Sequence, residues 1–177
     1  MGGGNHLGEL HLKEVNYEDA REEYRFLSGM PADENGMINE WFGFDWPEFQ
    51  EKAIQAMLDS AKGIGLPDGY VPETWLFLWD DCEIVGVFRI RHFLTDSLRN
   101  GSGHIGCTIR KDCRGKGLGT RGLELALKAA DRLVKEDEIH LRCRIDNAAS
   151  LRMMLKNGAS IHHSDGDHIF TRIPKIK

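Results

Sequence analysis

Three glycines alternate with other residues in the segment Arg114-Gly115-Lys116-Gly117-Leu118-Gly119. Because glycine carries no side chain, several backbone N–H groups in such a segment can converge on one anion. A helix that starts here would add its unpaired N–H groups and the positive end of its dipole. Arg114 and Lys116 contribute two cations. The segment therefore predicts a pyrophosphate site; the alternative is a turn that only lets a strand and a helix pack closely.

Two G-x-G-x-x-G strings raise the alternative of a dinucleotide site. The string at 101–106 runs into a strand instead of a helix, which is the wrong context. The string at 117–122 opens a helix, but it follows its strand after a long gap and comes after three strands that resemble consecutive antiparallel partners. No G-x-x-x-x-G-K-[ST] string is present, which argues against a nucleoside-triphosphate loop. Both nucleotide folds are poorly supported.

The elements that must position the glycine turn follow from hydrophobic periodicity and turn residues. Strands are predicted at His11–Val15, Thr74–Trp79, Ile84–Arg91, His104–Ile109, Ile139–Arg144, Ser160–His162 and His168–Ile173. Helices are predicted at Tyr17–Leu27, Pro47–Lys62, Gly117–Lys135 and Asn147–Lys156. The order β-α-α-β-β-β-α-β-α-β-β predicts one α+β domain over 8–177, with 1–7 as a flexible terminus or a remnant of expression cloning.

Composition narrows the class of protein. The 177 residues are 41% hydrophobic and 29% charged, which is typical of a globular domain. The net charge of -5 argues against a nucleic-acid partner, and an acidic surface would attract a cationic substrate such as an amine. No apolar run is long enough to span a membrane. The four cysteines have no C-x-x-C spacing, which predicts reduced thiols, no metal site and a cytoplasmic location.

Two motifs in this order resemble one known family. The residues Arg114, Gly117 and Gly119 match the [QR]-x-x-G-x-[GA] signature of the GCN5-related N-acetyltransferase (GNAT) superfamily. The segment 146–151, followed by Asn157-Gly158-Ala159, resembles the second motif of that family. The resemblance implies a mixed, mostly antiparallel sheet of about seven strands with helices on both faces. It also implies substrate-side helices and loops at 17–72 and a coenzyme-A-binding core at 74–173.

The resemblance implies an N-acetyltransferase that uses acetyl-coenzyme A as co-substrate, without a metal. The acetyl group would pass to a primary amine of a small molecule or peptide by direct attack on the thioester. The backbone of Cys107, Thr108 and Ile109 would bind the pantetheine arm, with the Ile109 N–H contacting the oxyanion. Pyrophosphate would bind the N–H groups of Gly115, Lys116, Gly117, Leu118, Gly119 and Thr120, beside the side chain of Arg114. Asn147 would contact the pantetheine arm, with an N-cap role as a compatible alternative.

The groups that would move protons are less defined. Family members often carry a tyrosine seven residues beyond the motif asparagine, and this chain has Met154 there. The tyrosines of the chain, Tyr17, Tyr24 and Tyr70, are not placed by sequence. A thiol of pKa about 8.5 is a fair leaving group without assistance. His104 is the predicted general base, with a strand-edge histidine of no catalytic role as the alternative. Weaker candidates for the base are His92, Glu73 and Asp96.

The missing tyrosine keeps a second class of function open, a non-catalytic acyl-coenzyme-A-binding or regulatory module on the same fold. Dimerisation is common in this fold, so the resemblance is also compatible with a homodimer. The sequence does not identify the acceptor amine or restrict the acyl group to acetyl.

Overall fold

The computed structural model describes residues 9–175; the predicted flexible terminus at 1–7 lies outside the described residues. The strands are β1 Leu10–Glu14, β2 Asp33–Glu34, β3 Met37–Ile38, β4 Glu73–Asp80, β5 Glu83–Arg91, β6 Ile105–Ile109, β7 Glu138–Arg144, β8 Ser160–Ser164 and β9 His168–Pro174. The helices are α1 Ala20–Ser28, α2 Trp46–Glu48, α3 Ile54–Lys62, α4 Asp96–Arg99, α5 Leu118–Leu133 and α6 Ala148–Lys156. A π-helical turn, Phe49–Ala53, joins α2 to α3, and a 3-10 turn, Lys111–Cys113, precedes the glycine turn.

The seven longer strands form two sheets of orders β1-β4-β5-β6 and β7-β9-β8, and β2 pairs with β3 in a separate hairpin. Every strand pair in the described part of the chain is antiparallel. The predicted α+β class, with seven long and mostly antiparallel strands, is therefore confirmed, and these strands are divided between a four-stranded and a three-stranded sheet. The β2–β3 hairpin and α4 were not predicted, because elements of two to four residues are too short to show periodicity.

Strand β4 is buried on both faces and divides the core. Leu76 and Leu78 belong to the cluster that packs on α5, and Trp75 and Phe77 belong to the cluster that packs on α1 and α3. The alternation follows from the period of two in a strand. The sheet β1-β4-β5-β6 therefore lies between two layers of helices. In the described part of the chain, no helix is long and apolar enough to cross a membrane.

Candidate active site

A cleft of about 450 Å³ lies between β6 and β7, where the two sheets separate. The backbone N–H of His104 donates to the carbonyl of His140 at 2.8 Å, at the start of the separation. Residues 105–109 and 142–147 beyond this contact both contribute to the cleft, so the strands leave it in the same direction. In residues 9–175 no backbone bond joins them further along. The cleft is therefore a V whose narrow end is at His104.

The edge of β6 along the cleft carries backbone groups that the β5–β6 ladder does not use. The N–H of Arg91 donates to the carbonyl of His104, and the N–H of Arg110 donates to the carbonyl of Val85, both at 2.8 Å. Because hydrogen-bonded pairs alternate in an antiparallel ladder, Gly106 and Thr108, which lie between these two bonds, direct their backbone groups toward β5. The backbone groups of Cys107 and Ile109 consequently face the cleft, where the pantetheine arm is expected.

Thr108 does not fit the role predicted for its backbone. It is the partner of Val87 in the ladder, and its carbonyl oxygen lies 2.9 Å from the position of a Cβ added at Gly86. Its backbone therefore belongs to the β5–β6 ladder. Thr108 still lines the cleft.

The glycine turn presents a continuous row of free donors. Gly115 and Gly117 have φ angles of 78° and 79°, in the left-handed region that only glycine adopts easily. In the part of the chain that the structure describes, the N–H groups of residues 115–120 have no hydrogen-bond acceptor, and Arg121 is the first residue to bond back to Gly117. These donors lie at the N-terminus of a 16-residue helix, α5, whose dipole also favours an anion. The geometry suits a pyrophosphate.

The two cations of the turn, Arg114 and Lys116, have different surroundings. The Nε of Arg114 donates to the carbonyl of Ile109 at 2.9 Å, and its Nη2 donates to Glu34 at 2.8 Å. Arg114 thus fastens the β2–β3 hairpin to the turn, and it also lines the cleft next to the row of donors. Its predicted place beside an anion stays a prediction. Lys116 is exposed and does not contribute to the cleft lining.

Asn147 lines the cleft and caps a helix at the same time. Its Oδ1 accepts the N–H of Ser150 at 3.1 Å, which makes it the N-cap of α6. Its Nδ2 has no partner among the described residues and remains available for a ligand. The two predicted roles are therefore compatible.

A proton donor is absent from the position where the family tyrosine is expected. Met154 is buried, and its sulfur accepts from the hydroxyl of Thr171 at 3.5 Å. The tyrosines lie elsewhere: Tyr17 donates to Gln55, Tyr24 packs in the second core cluster, and Tyr70 lines a different cavity.

His104, the predicted base, is fully buried and does not line the cleft. Its Nδ1 accepts the backbone N–H of His140 at 2.9 Å, and its Nε2 lies 3.1 Å from Glu136. Burial lowers the pKa of His104 below its usual value, although the bond to Glu136 opposes the shift. Both ring nitrogens are engaged, so the geometry does not support His104 as a base that contacts a substrate.

The weaker candidates are also outside the cleft lining. The carboxylate of Glu73 pairs with Arg89, His92 bonds to Thr74 at 2.8 Å, and Asp96 starts α4. The cleft lining within 9–175 has a single carboxylate, Glu34, which accepts from Arg114. Sequence reasoning missed Glu34 and its neighbour Met37 because the two-residue strands of their hairpin carry no sequence pattern.

Three of the four cysteines, Cys107, Cys113 and Cys143, contribute to the cleft lining. Burial raises the pKa of Cys107 to about 12, and it also raises the pKa of Cys113 and Cys143. These thiols are protonated at neutral pH. They are therefore poor nucleophiles toward a thioester.

A second cavity, of about 360 Å³, lies between α3, the segment 64–70 and the start of β4. The described lining includes no Lys, Arg or His. Arg89, outside the lining, donates to Glu40 at 3.0 Å and to the carbonyl of Ile38 at 3.0 Å. Ile38 is next in the chain to Met37, which lines the cleft. Arg89 therefore connects the second cavity to the cleft through its bond to Ile38. Three carboxylates and three aromatic rings line the cavity, from Glu40, Asp59, Glu73, Trp41, Tyr70 and Trp75.

A family model described as an acetyltransferase (GNAT) domain matches residues 9–160. A search of curated protein sequences found no match.

Solved structures share the fold at low sequence identity. RimJ from Mycobacterium smegmatis, in complex with CoA-disulfide, has 20% identity and a TM-score of 0.64 over 95% of this chain and 83% of its own. The spermidine N-acetyltransferase of Vibrio cholerae, described as dodecameric, has 15% identity and a TM-score of 0.62 over 94% of both chains. PseH from Campylobacter jejuni, in complex with acetyl coenzyme A, has 15% identity and a TM-score of 0.56 over 95% of this chain and 100% of its own. With a family model that matches most of its length, and with a free row of N–H donors beside two splayed strands, the chain belongs to the GNAT acetyltransferase family.

Proposed function

We propose that this protein transfers an acetyl group from acetyl-coenzyme A to a primary amine of a small molecule or peptide. The observation that carries the proposal is the row of N–H groups at 115–120, which has no acceptor in the described residues and opens onto the V-shaped cleft. Pyrophosphate would bind this row, and the pantetheine arm would lie along the cleft edge of Cys107 and Ile109. The structures of RimJ with CoA-disulfide and of PseH with acetyl coenzyme A support the choice of cofactor.

The transfer would be direct. The neutral amine attacks the thioester carbonyl carbon, and the oxyanion that forms accepts a hydrogen bond from the N–H of Ile109. The C–S bond then breaks, the thiolate takes a proton, and the products are an N-acetyl amide and coenzyme A. The proton lost by the amine passes to solvent. The protonated state of the Cys107 thiol argues against an acetyl-cysteine intermediate.

The acceptor would be a cationic amine whose substituent occupies the second cavity. Carboxylates and aromatic faces both attract a cation, and the cavity offers Asp59 together with the rings of Trp41 and Tyr70. Glu40 and Glu73 are already paired with Arg89, which also lies over the ring of Trp75. The similarity to a spermidine N-acetyltransferase is consistent with such an acceptor. The test is steady-state kinetics with a panel of amines, read as release of free thiol.

A carboxylate variant makes this test specific. We expect Asp59→Asn to raise the KM for a cationic amine about three- to tenfold, as one charge near a partly buried cation is worth ~1 kcal/mol. The KM for acetyl-coenzyme A should not change. The matched control is Asp131→Asn, because Asp131 is exposed and outside both cavities. Equal effects of the two substitutions would rule out this cavity as the acceptor site.

A second candidate is a non-catalytic acyl-coenzyme-A-binding module. It is favoured by Met154 in place of a proton donor and by the engaged state of Glu34, the carboxylate of the described cleft lining. Tight binding of acetyl-coenzyme A without thiol release on any amine would select this function over the transferase.

A cytoplasmic homodimer is the form that we propose for the protein. All four cysteines are free, which fits a reducing compartment. Strand β8 is an edge strand whose five residues are all exposed, and such an edge can pair with a second copy. Light scattering coupled to size-exclusion chromatography measures the mass directly. A mass of about one chain would reject the dimer.

A further inference from the structure

His104 lies directly behind the narrow end of the cleft, outside its lining, and bonds to His140 twice. Its backbone N–H donates to the His140 carbonyl at 2.8 Å, and its ring Nδ1 accepts the His140 N–H at 2.9 Å. In a regular strand pair a main-chain carbonyl would accept that N–H. The imidazole ring of His104 therefore accepts the hydrogen bond that a main-chain carbonyl would normally accept. This is the last hydrogen-bonded position between the two sheets before they separate. We refer to these two bonds as the His104–His140 bridge.

Glu136 holds the ring in the orientation that the bridge requires. Since Nδ1 accepts a hydrogen bond, the proton of the neutral ring is on Nε2, which donates to Glu136 Oε2 at 3.1 Å. The other oxygen of Glu136 accepts the N–H of Leu94 at 2.8 Å, so the carboxylate is itself anchored. Arg99 lies 3.6 Å from the same oxygen. The ring is fixed from both sides.

The bridge is the last hydrogen-bonded contact before β6 and β7 diverge. Beyond it, no hydrogen bond in residues 9–175 joins the two strands, so their separation at Cys107 and Arg142 depends on the angle set at the bridge. The fit at this point is tight: a Cβ added at Gly103 would lie 2.4 Å from the His140 carbonyl oxygen. Small changes at the bridge therefore move the cleft edge that faces the cofactor.

We propose that His104 is a positioning residue for coenzyme A, which sets the width of the cleft through the hydrogen bond from the His140 N–H to its Nδ1. The proposal rests on the proposed binding of coenzyme A in this cleft. It requires no contact between His104 and the substrate. The two bonds of the ring have different roles: the bond to His140 sets the width of the cleft, and the bond to Glu136 orients the ring.

Two substitutions distinguish the two bonds. In His104→Asn the side-chain oxygen lies close to the position of Nδ1 and can accept from His140, but the side chain is too short to reach Glu136. In His104→Gln the amide nitrogen can reach Glu136, but no acceptor remains at the position of Nδ1. His104→Ala removes both bonds and is the reference for complete loss.

The measurements are the dissociation constant of coenzyme A by titration calorimetry and hydrogen exchange at the His140 amide. A buried N–H that has lost its acceptor shifts toward a new one and moves the cleft edge with it, so we expect His104→Gln and His104→Ala to bind coenzyme A about tenfold or more weakly. His104→Asn should bind within about threefold of the unmodified protein and keep the His140 amide protected. A thermal melt of each variant checks that it is folded at the temperature of the titration.

The outcomes separate this inference from the proposed function. Equal affinities of the Asn and Gln variants, or weaker binding by the Asn variant, would overturn the role of the bridge and leave the proposed function intact. An unmodified protein that binds no coenzyme A would overturn both. Loss of affinity in the Gln variant with rescue in the Asn variant supports the inference, because a merely structural role would not follow the position of the acceptor.

Discussion

The ring of Phe88 lies where a side chain of Gly122 would begin: a Cβ added at Gly122 would be 2.7 Å from Cζ of Phe88 and 2.9 Å from Cδ2 of Leu78. Phe88 and Leu78 are fully buried and cannot move aside at low cost. Helix α5 can therefore approach the sheet only because residue 122 is glycine. This close approach sets the distance between β6 and the N-terminus of α5, where pyrophosphate is proposed to bind.

We expect Gly122→Ala to lower the free energy of unfolding. The overlap costs about 1–3 kcal/mol, and the gain in helix propensity of up to ~1 kcal/mol offsets only part of it. Gly119→Ala is the matched control, because its added Cβ would meet the flexible end of Met153 at 3.2 Å. Urea unfolding of both variants measures the difference. A Gly122→Ala protein as stable as the Gly119→Ala protein would show that the helix can shift.

Gly117→Ala tests the anion site. A residue with a side chain at a φ of 79° costs about 1–2 kcal/mol, which would distort the turn that aligns the N–H groups. We expect the affinity for coenzyme A to fall about tenfold or more, since each misplaced donor to pyrophosphate weakens binding by ~1 kcal/mol. Titration calorimetry measures the affinity.

The control for Gly117→Ala is Gly65→Ala. Gly65 also has a positive φ, of 67°, with nothing within 4 Å of an added Cβ, but it lies outside the coenzyme A cleft. Gly65→Ala therefore introduces a similar backbone strain without altering the glycine turn. If both variants lost affinity equally, the effect would come from strain in general and the turn would not be the pyrophosphate site.

The raised pKa values of the cleft thiols predict direct transfer without an acetylated intermediate. Because burial raises the pKa of Cys107 to about 12, we expect Cys107→Ala to retain acetyl transfer within about threefold. The intact mass of the protein after incubation with acetyl-coenzyme A alone should not change. The exposed Cys82 should react with iodoacetamide before the cleft cysteines do. An added mass of one acetyl group that is lost in Cys107→Ala would contradict direct transfer.

Glu23 predicts a pH dependence of stability. It is buried, its Oε1 accepts the N–H of Asn16 at 3.2 Å, and its Oε2 has no partner among the described residues. Burial raises its pKa from 4.5 to about 8, so the folded protein keeps the carboxyl protonated at neutral pH. The contribution of Glu23 to stability is complete below pH 4.5 and declines as the pH rises to about 8, by about 1.4 kcal/mol for each pH unit.

Glu23→Gln removes this titration. The free energy of unfolding of Glu23→Gln, measured with urea, should therefore rise relative to that of the unmodified protein between pH 5 and pH 8. Glu18→Gln is the control, because Glu18 is exposed and its substitution should give a curve parallel to that of the unmodified protein. Parallel curves for Glu23→Gln as well would mean that the carboxyl is ionised in the folded state.

The α+β class, the order of the seven long strands and the row of donors at 115–120 could all be predicted from the sequence. Strand and helix periodicity are local, and so is the preference of glycine for a left-handed turn at the start of a helix. Asn147 as a helix cap followed from the same local rules. The bounds of α5 and β4 were predicted within a few residues for this reason.

Only the tertiary structure decided what the charged and titratable side chains do. His104 was expected to be a base, but its ring bonds to His140 and Glu136, which are more than 30 positions away in the chain. Arg114 was expected beside the anion, and only the structure shows that it also pairs with Glu34, 80 positions away. The role of a polar side chain depends on burial and on partners that folding brings close, and neither is encoded in the neighbouring residues. The backbone conformation of this site therefore follows from the local sequence, whereas the arrangement of its charged side chains follows from the tertiary structure.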